Sequence, residues 1–257
     1  MKITTVAFLF IAVVSFYKNI QRGLPPGSGI FIVVDAVTGA PLGVFQENRF
    51  MTDLRTGAAG GVSFKYCTAP NQNVVGFIGC GAIARNMARG AAAIRPYQGV
   101  AFAIDGAEKF CKDMEEELRL PFVVANTAEE LCRTSDVIFT QTPGSTTVLE
   151  KDWLKPDGVT IIASGSDQPT KQEIPVDVLK ASKYISDLTK QTSRVGELRS
   201  AIQAGVMTVE DVYAELGDVV NGKPGREGNE IIVVDLTGTG AQDAAIGQVA
   251  WNKLSGL

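Results

Sequence analysis

Asn73-Val-Val-Gly-Phe-Ile-Gly-Cys-Gly-Ala-Ile-Ala84 is an apolar run that stops on Gly79-x-Gly81-x-x-Ala84. A buried strand that ends on this pattern and turns straight into a helix can cradle a pyrophosphate. Gly79 permits the tight turn, Gly81 lets the backbone approach the phosphates, and Ala84 lets helix and strand pack closely. Ala82 and Ile83 complete the cofactor-binding set at the turn. Gly-x-Gly occurs in many loops, so context carries the reading. Gly90-Ala-Ala-Ala-Ile94 continues the helix, and Val100-Ala-Phe-Ala-Ile-Asp105 is a second apolar run. Asp105 ends it about 20 residues further on, where a ribose-binding carboxylate is expected. A carboxylate there repels a 2'-phosphate, so the expected cofactor is NAD rather than NADP. The same residues also fit a glycine-rich turn with no ligand.

Working outward, the pattern from Val74 to Asp235 alternates strand and helix. Strands are predicted over 74–78, 100–104, 122–124, 136–140, 159–163, 184–186 and 231–234. Helices are predicted over 81–94, 107–118, 127–133, 175–180, 194–203 and 208–216. Short apolar strands separated by helices imply an α/β fold with a doubly wound parallel (Rossmann) sheet. Before it, Gly29–Asp35 and Leu42–Phe45 read as a hairpin around the turn Val37–Pro41. Residues 51–69 then read as a helix capped by Thr52 or Asp53 and packed through Ala58, Ala59, Val62 and Phe64. Ala241–Leu254 reads as a closing helix. The expected organisation is a smaller α+β domain at 1–68, the dinucleotide-binding domain at 69–238 and a C-terminal helix at 239–257; the family resemblance set out below implies that the first is a partial substrate and dimerisation domain to which that helix returns.

The chain has 257 residues, 45% of them hydrophobic, and a formal net charge of -4. That length supports one large or two small domains. The slight acidity and scattered basic residues leave no electrostatic footprint for nucleic acid. With no histidine, Ser-His and Cys-His nucleophilic pairs and histidine metal sites are excluded, and proton transfer rests on Asp, Glu, Lys, Tyr or Cys. Cys67, Cys80, Cys111 and Cys132 form no C-x-x-C pair. Reduced thiols in a cytoplasmic setting, without a metal, fit them best. Met1–Phe16 has a basic start and an apolar core like a signal peptide. It falls short of the roughly 20 apolar residues that span a membrane and lacks a small-x-small cleavage site, so buried strands are the preferred reading.

Several segments together resemble the ornithine cyclodeaminase/μ-crystallin family. They are Asp35-Ala-Val-Thr-Gly-Ala-Pro-Leu42, Thr52-Asp-Leu-Arg-Thr-Gly-Ala-Ala59, Ile78-Gly-Cys-Gly-Ala-Ile-Ala84, Ser164-Gly-Ser-Asp-Gln-Pro-Thr-Lys-Gln-Glu173, Gly222-Lys-Pro-Gly-Arg226 and Asp235-Leu-Thr-Gly-Thr-Gly-Ala-Gln-Asp243. The resemblance implies a nicotinamide enzyme that oxidises an amino acid at Cα to an imine. In cyclodeaminases the side-chain amine then attacks, ammonia leaves and the hydride returns, so ornithine becomes proline. Relatives include amino-acid dehydrogenases, ketimine reductases and a non-catalytic dinucleotide-binding crystallin. Asp167 matches the family's catalytic aspartate; read alone, it also fits a simple cap at Gln168-Pro169. Arg55 matches the arginine that grips the substrate carboxylate, a task suited to a planar guanidinium. Thr56 and Lys171 resemble cofactor contacts. Thr140, Thr142 and Thr237 end strands beside the expected nicotinamide, as does Asp235. Hydroxyls that satisfy loop backbone would account for these threonines equally well.

The chain departs from the family pattern at its front. Family members carry further residues before the segment seen here at Gly23-Leu24-Pro25, and these supply a second arginine, an acid and a lysine to the amino-acid site. That lysine should fall just before Val13, where Ile11 and Ala12 stand. Members of the family pair as homodimers through the same region. A substrate carboxylate held by Arg55 without the other cations would bind more weakly, since a charged hydrogen bond contributes about 1.5–3 kcal/mol.

Overall fold

The computed structural model describes residues 6–25 and 27–256. Their contacts divide into two compact units, one holding the residues up to Arg55 together with those from Thr239 on, the other holding Thr56–Gly238. The division falls inside a helix rather than after residue 68.

The first unit is a three-stranded antiparallel sheet in the order β1-β2-β3, formed by β1 (Val6–Ser15), β2 (Gly27–Asp35) and β3 (Pro41–Glu47). The hairpin between β2 and β3 turns where the sequence places it. Asp35 Oδ1 accepts the Val37 and Thr38 N–H groups at 2.9 and 2.7 Å, a short side-chain turn that also draws in the Thr38 hydroxyl. Met1–Ile3 of the leader-like segment lie outside the described residues, as do Thr4 and Thr5. From Val6 it is a strand, and its Val14 and Phe16 are exposed rather than buried. The Trp251 ring of the closing helix packs against Gly43, where a Cβ would stand 3.2 Å from it.

The helix α1 (Phe50–Cys67) begins earlier than its expected caps. Thr52 and Asp53 therefore lie inside the first turn, and Glu47 does the capping: Met51 N–H donates to Glu47 Oε2 at 2.5 Å and the Thr52 hydroxyl to Oε1 at 3.0 Å.

The second unit is an eight-stranded sheet. Its elements in chain order are β4 (Val74–Ile78), α2 (Ala82–Ala92), β5 (Gln98–Phe102), α3 (Ala107–Leu118), β6 (Phe122–Val124), α4 (Ala128–Thr134), β7 (Val137–Thr140) and β8 (Val159–Ala163). Then come α5 (Val176–Ala181), β9 (Lys183–Ser186), α6 (Thr189–Thr192), α7 (Glu197–Gln203), β10 (Ala214–Glu215), α8 (Leu216–Val220) and β11 (Ile231–Asp235), and the chain closes with α9 (Gly240–Ser255) in the first unit. The strand order is β10-β9-β11-β8-β7-β4-β5-β6, and every pairing is parallel. Successive strands leave β4 in opposite directions, so the switch point where such sheets bind ligands lies between β4 and β7. All residues of β7 and β8 are buried, as strands covered on both faces require.

One face of the sheet buries an aromatic group centred on Phe77. Its ring lies 5.4 Å from Phe139, 5.5 Å from Phe110 and 6.1 Å from both Phe122 and Tyr97. The other face buries Leu131, Ile138, Ile161, Tyr184, Leu198 and Val233. On the first face α1 and α2 cross backbone to backbone. A Cβ on Gly90 would stand 2.3 Å from the Gly57 carbonyl oxygen, and one on Gly57 2.4 Å from the Asn86 carbonyl oxygen. Gly90→Leu is accordingly expected to separate the two helices and lower stability by at least about 1–3 kcal/mol; a urea midpoint equal to wild type would contradict this contact.

Three sequence-based expectations need correction. The predicted strand 100–104 lies two residues earlier, because the chain bends out after Phe102: Ile104 is 96% exposed and Gly106 takes φ +83° to start α3. The predicted helix 208–216 is instead a one-turn 3-10 segment at Val209–Asp211, the edge strand β10 and then α8. Thr208 and Asp211 form a capping box that starts the 3-10 turn, and Glu215 and Asp218 form another that starts α8, so two short segments begin where one helix was expected. The predicted helix 194–203 begins three residues late, as α7 (Glu197–Gln203) after Gly196, and the separate short α6 (Thr189–Thr192) precedes it.

Candidate active site

The turn after β4 has the geometry its sequence promised. Gly79 sits at φ +93°, a conformation that disfavours any side chain, and a Cβ there would lie 2.9 Å from the Gln141 carbonyl oxygen. Gln141 Nε2 fastens this crossing by donating to the Ile78 and Gly79 carbonyls at 2.8 and 2.7 Å. Gly81 precedes α2 with open space where its Cβ would stand, and its carbonyl accepts the Arg85 N–H at 3.2 Å. The N–H groups of Ala82, Ile83 and Ala84 precede that first helical bond and point out of the helix start, and no side chain caps them. The open Gly81 surface and these N–H groups fit a dinucleotide pyrophosphate. Asp105 is exposed in the turn three residues beyond β5 rather than closing the strand.

Asp167 follows β8 at the carboxyl end of the sheet, with its side chain about half exposed. Its Oδ1 accepts the Lys171 ammonium at 2.7 Å, and the Lys171 side chain is 8% exposed. Lys171, expected on the cofactor, thus has its Nζ on Asp167. The loop that carries both is tied down at each turn. Ser164 N–H donates to the Thr140 carbonyl at 2.9 Å, the Ser166 hydroxyl to the Lys171 carbonyl at 2.8 Å, and Arg199 Nη2 to the same carbonyl at 2.7 Å.

Three buried carboxylates lie under this edge: Glu173 and Glu197, to which sequence reasoning gave no role, and Asp235, expected only beside the nicotinamide. Glu173 is fully buried and accepts from the Thr140 hydroxyl at 2.7 Å, the Thr142 N–H at 2.5 Å and the Gly165 N–H at 3.0 Å. Its carboxyl fills the place of a side chain at Gly165, where a Cβ would lie 2.3 Å from Glu173 Cδ. Burial pushes its pKa up, against the pull of those donors. Glu197 in turn accepts the backbone N–H groups of Glu173 and Ile174 at 2.8 and 3.2 Å. Asp235 accepts the Tyr184 hydroxyl and, at 2.7 Å, the Glu197 N–H, and its Oδ2 occupies the space a Cβ on Gly196 would need. Burial pushes Asp235 up to about 7, and it pushes Glu197 upward with the Asp235 charge adding to it.

The other expected contacts are distributed as follows. Thr140 is fully buried and spends its hydroxyl on Glu173. Thr142 reaches the same carboxylate through its backbone. The Thr237 hydroxyl donates to Asp187 at 2.9 Å and accepts from Gln191 at 3.0 Å. Thr56 is buried in α1. In the first unit, Arg55 lies near the start of α1 with its Nε 3.1 Å from Asp243 Oδ1 of α9; the pair has the distance of an ion pair but not the alignment of a hydrogen bond, which leaves that buried Nε–H without a well-directed acceptor. Its Nη1 lies 3.4 Å from Gln242 Oε1. Burial pushes Asp243 up, and Arg55 opposes it.

The four cysteines are free, and burial pushes the thiols of Cys67, Cys80 and Cys132 up to about 12 and that of Cys111 to about 11. Iodoacetamide at pH 8 is therefore expected to label the native protein on the order of a hundredfold more slowly than the protein in urea. Fast labelling of any one thiol in the native state would contradict this. Among the described residues no helix is long and apolar enough to cross a membrane, and no His/Cys/Asp/Glu group has the makings of a metal site.

Known proteins resemble the chain in sequence and fold. The chain is 38% identical over 242 residues to the alanine dehydrogenase of Archaeoglobus fulgidus, covering 92% of this chain and 74% of that one. Its fold matches the Δ1-pyrroline-2-carboxylate reductase of Thermococcus litoralis, solved with NADH and L-proline, with a TM-score of 0.89, 26% identity, and coverage of 96% of this chain and 78% of that one. It matches an archaeal alanine dehydrogenase dimer with bound NAD with a TM-score of 0.87 at 36% identity, again over 96% and 78%. The solved neighbours hold NADH or NAD, the cofactor expected here, and the geometry of the Gly79–Ala84 turn fits its pyrophosphate. The profile of the ornithine cyclodeaminase/mu-crystallin family matches residues 5–256, and the chain belongs to that family.

Proposed function

We propose that the protein is an NAD-dependent oxidoreductase that interconverts a small α-amino acid and its imino acid at the carbon bearing nitrogen. The observation that carries this reading is the Asp167–Lys171 pair at the carboxyl end of β8, on the same edge of the sheet as the Gly79 turn. NAD, when bound, supplies the hydride acceptor in one direction and the donor in the other. Gly79, Gly81 and the N–H groups of Ala82, Ile83 and Ala84 hold its pyrophosphate, and Asp105 takes the ribose hydroxyls. An ammonium group must lose a proton before its carbon can give up hydride. Asp167 accepts that proton, directly or through a water it orders, and Lys171 keeps the carboxylate in place. Arg55 is the residue that the family resemblance assigns to the substrate carboxylate.

Net redox chemistry is preferred because the alanine dehydrogenase and pyrroline-carboxylate reductase relatives, by name, catalyse it. Ornithine cyclodeamination to proline is the second reading, favoured by the specific Gly165-Ser-Asp-x-Pro-x-Lys-x-Glu173 segment. The two separate cleanly in a cuvette. Purified protein with NAD and alanine, proline or ornithine is expected to accumulate NADH in proportion to substrate consumed. Proline formed from ornithine without NADH accumulation would replace this reading with the lyase. NADH binding with no turnover of any of these compounds or of cyclic imines would leave a dinucleotide-binding protein.

A further inference from the structure

The reading above leaves Glu173, Glu197 and Asp235 without a task, although burying three carboxylates is costly unless each is matched by donors. They are matched, and in sequence. Asp235, at the end of β11, holds the N–H of Glu197 at the start of α7. The Glu197 carboxylate holds the N–H groups of Glu173 and Ile174. The Glu173 carboxylate holds the Thr140 hydroxyl and Thr142 N–H after β7 and the Gly165 N–H after β8. Each carboxylate thus fixes the backbone that presents the next one. Two glycines, Gly165 and Gly196, leave the room in which Glu173 and Asp235 sit.

The donors at Glu173 also define what it must be. Thr142 and Gly165 offer N–H groups that cannot accept, so a carboxylate satisfies both. A carboxamide would turn an NH2 against at least one of the three donors or lose contact with it. The two segments it joins are those that end β7 and lead into Asp167.

We infer that Glu173 is a positioning residue, joining the Thr140–Thr142 and Gly165–Asp167 segments into one rigid edge at the nicotinamide end of the cofactor site, with Glu197 and Asp235 anchoring it from α7 and β11. This rests on the functional reading given above. The pyrophosphate turn meets this edge through Gln141, whose Nε2 has its own bonds to the Ile78 and Gly79 carbonyls and none to Glu173, so that half of the cofactor should respond less.

The test compares NADH with ADP-ribose, which lacks the nicotinamide, on wild type and the Glu173→Gln variant. NADH affinity is expected to fall about tenfold while ADP-ribose affinity stays within about twofold, and kcat at saturating NAD to fall about tenfold or more. The amino-acid KM should change less, since its carboxylate is assigned to Arg55. Thr140→Val removes one donor from the same junction with little change in shape, and should shift NADH in the same direction by a smaller factor. Equal loss of both ligands together with a lowered melting temperature would make Glu173 a general structural residue and overturn the inference. Wild-type behaviour of both variants would overturn it as well. Wild-type protein that binds NADH without turnover would remove the proposed reaction alone, because the contrast between ligands still decides the role of Glu173. Wild-type protein that binds neither ligand would remove both.

Discussion

Asp167→Asn is expected to cut turnover by about 10²–10⁴ while leaving NADH affinity within a factor of about two. That range equals roughly 3–5.5 kcal/mol of lost transition-state stabilisation. Asparagine is the informative replacement because its amide oxygen still accepts from Lys171, whose side chain is 8% exposed and 2.7 Å away. Alanine would deprive a buried ammonium of its carboxylate and mix a folding defect into the kinetics. The measurement is kcat with saturating NAD beside a fluorescence titration of NADH. Turnover equal to wild type would remove Asp167 from the chemistry, and a parallel loss of NADH binding would make it a cofactor residue.

Phe77→Ala should be the most destabilising change among the core positions. The ring is fully buried and has four aromatic neighbours with centroids within 6.1 Å: Phe110 on α3, Phe122 on β6, Phe139 on β7 and Tyr97 just before β5. Its removal combines lost transfer free energy with a cavity that rigid rings cannot collapse into, about 3–5 kcal/mol in all. A domain holds only about 5–15 kcal/mol in total. Urea denaturation followed by far-UV circular dichroism is expected to show a lower midpoint at an unchanged slope. A loss under about 1 kcal/mol would mean that the aromatic group packs loosely.

Much of this molecule could be read from residue order because its parallel strands are short, apolar and fully buried. β4, β6 and β8 fall at the expected residues. The Gly79 turn was legible because its requirement is local: a positive φ followed by a helix start. What failed was likewise local, at places where polar side chains reset the backbone. The caps at Thr208 and Glu215 divided a stretch with helical spacing. The bend after Phe102 moved Asp105 out of its strand. The roles of Glu173, Glu197 and Asp235 were not legible, since acids are ordinarily solvated and their donors come from four separate segments of chain. A retrospective signal existed in Gly165 and Gly196, small residues standing where a distant carboxyl needs room.

The place of β11 in the sheet has a consequence for how the chain reaches this state. It is the last strand in sequence, yet it lies between β8 and β9 and pairs with both. Until residues 231–235 leave the ribosome, β8 presents an open edge, and the two-strand piece β9–β10 has nothing in the sheet to join. The strands from β4 to β8 are made first, whereas completion of the sheet waits for the insertion of β11. Exposed parallel edges at that stage invite pairing between nascent chains. Release of a chain that stops short of Ile231 is therefore expected to yield aggregates, and a chaperone acting before β11 emerges would find its client here.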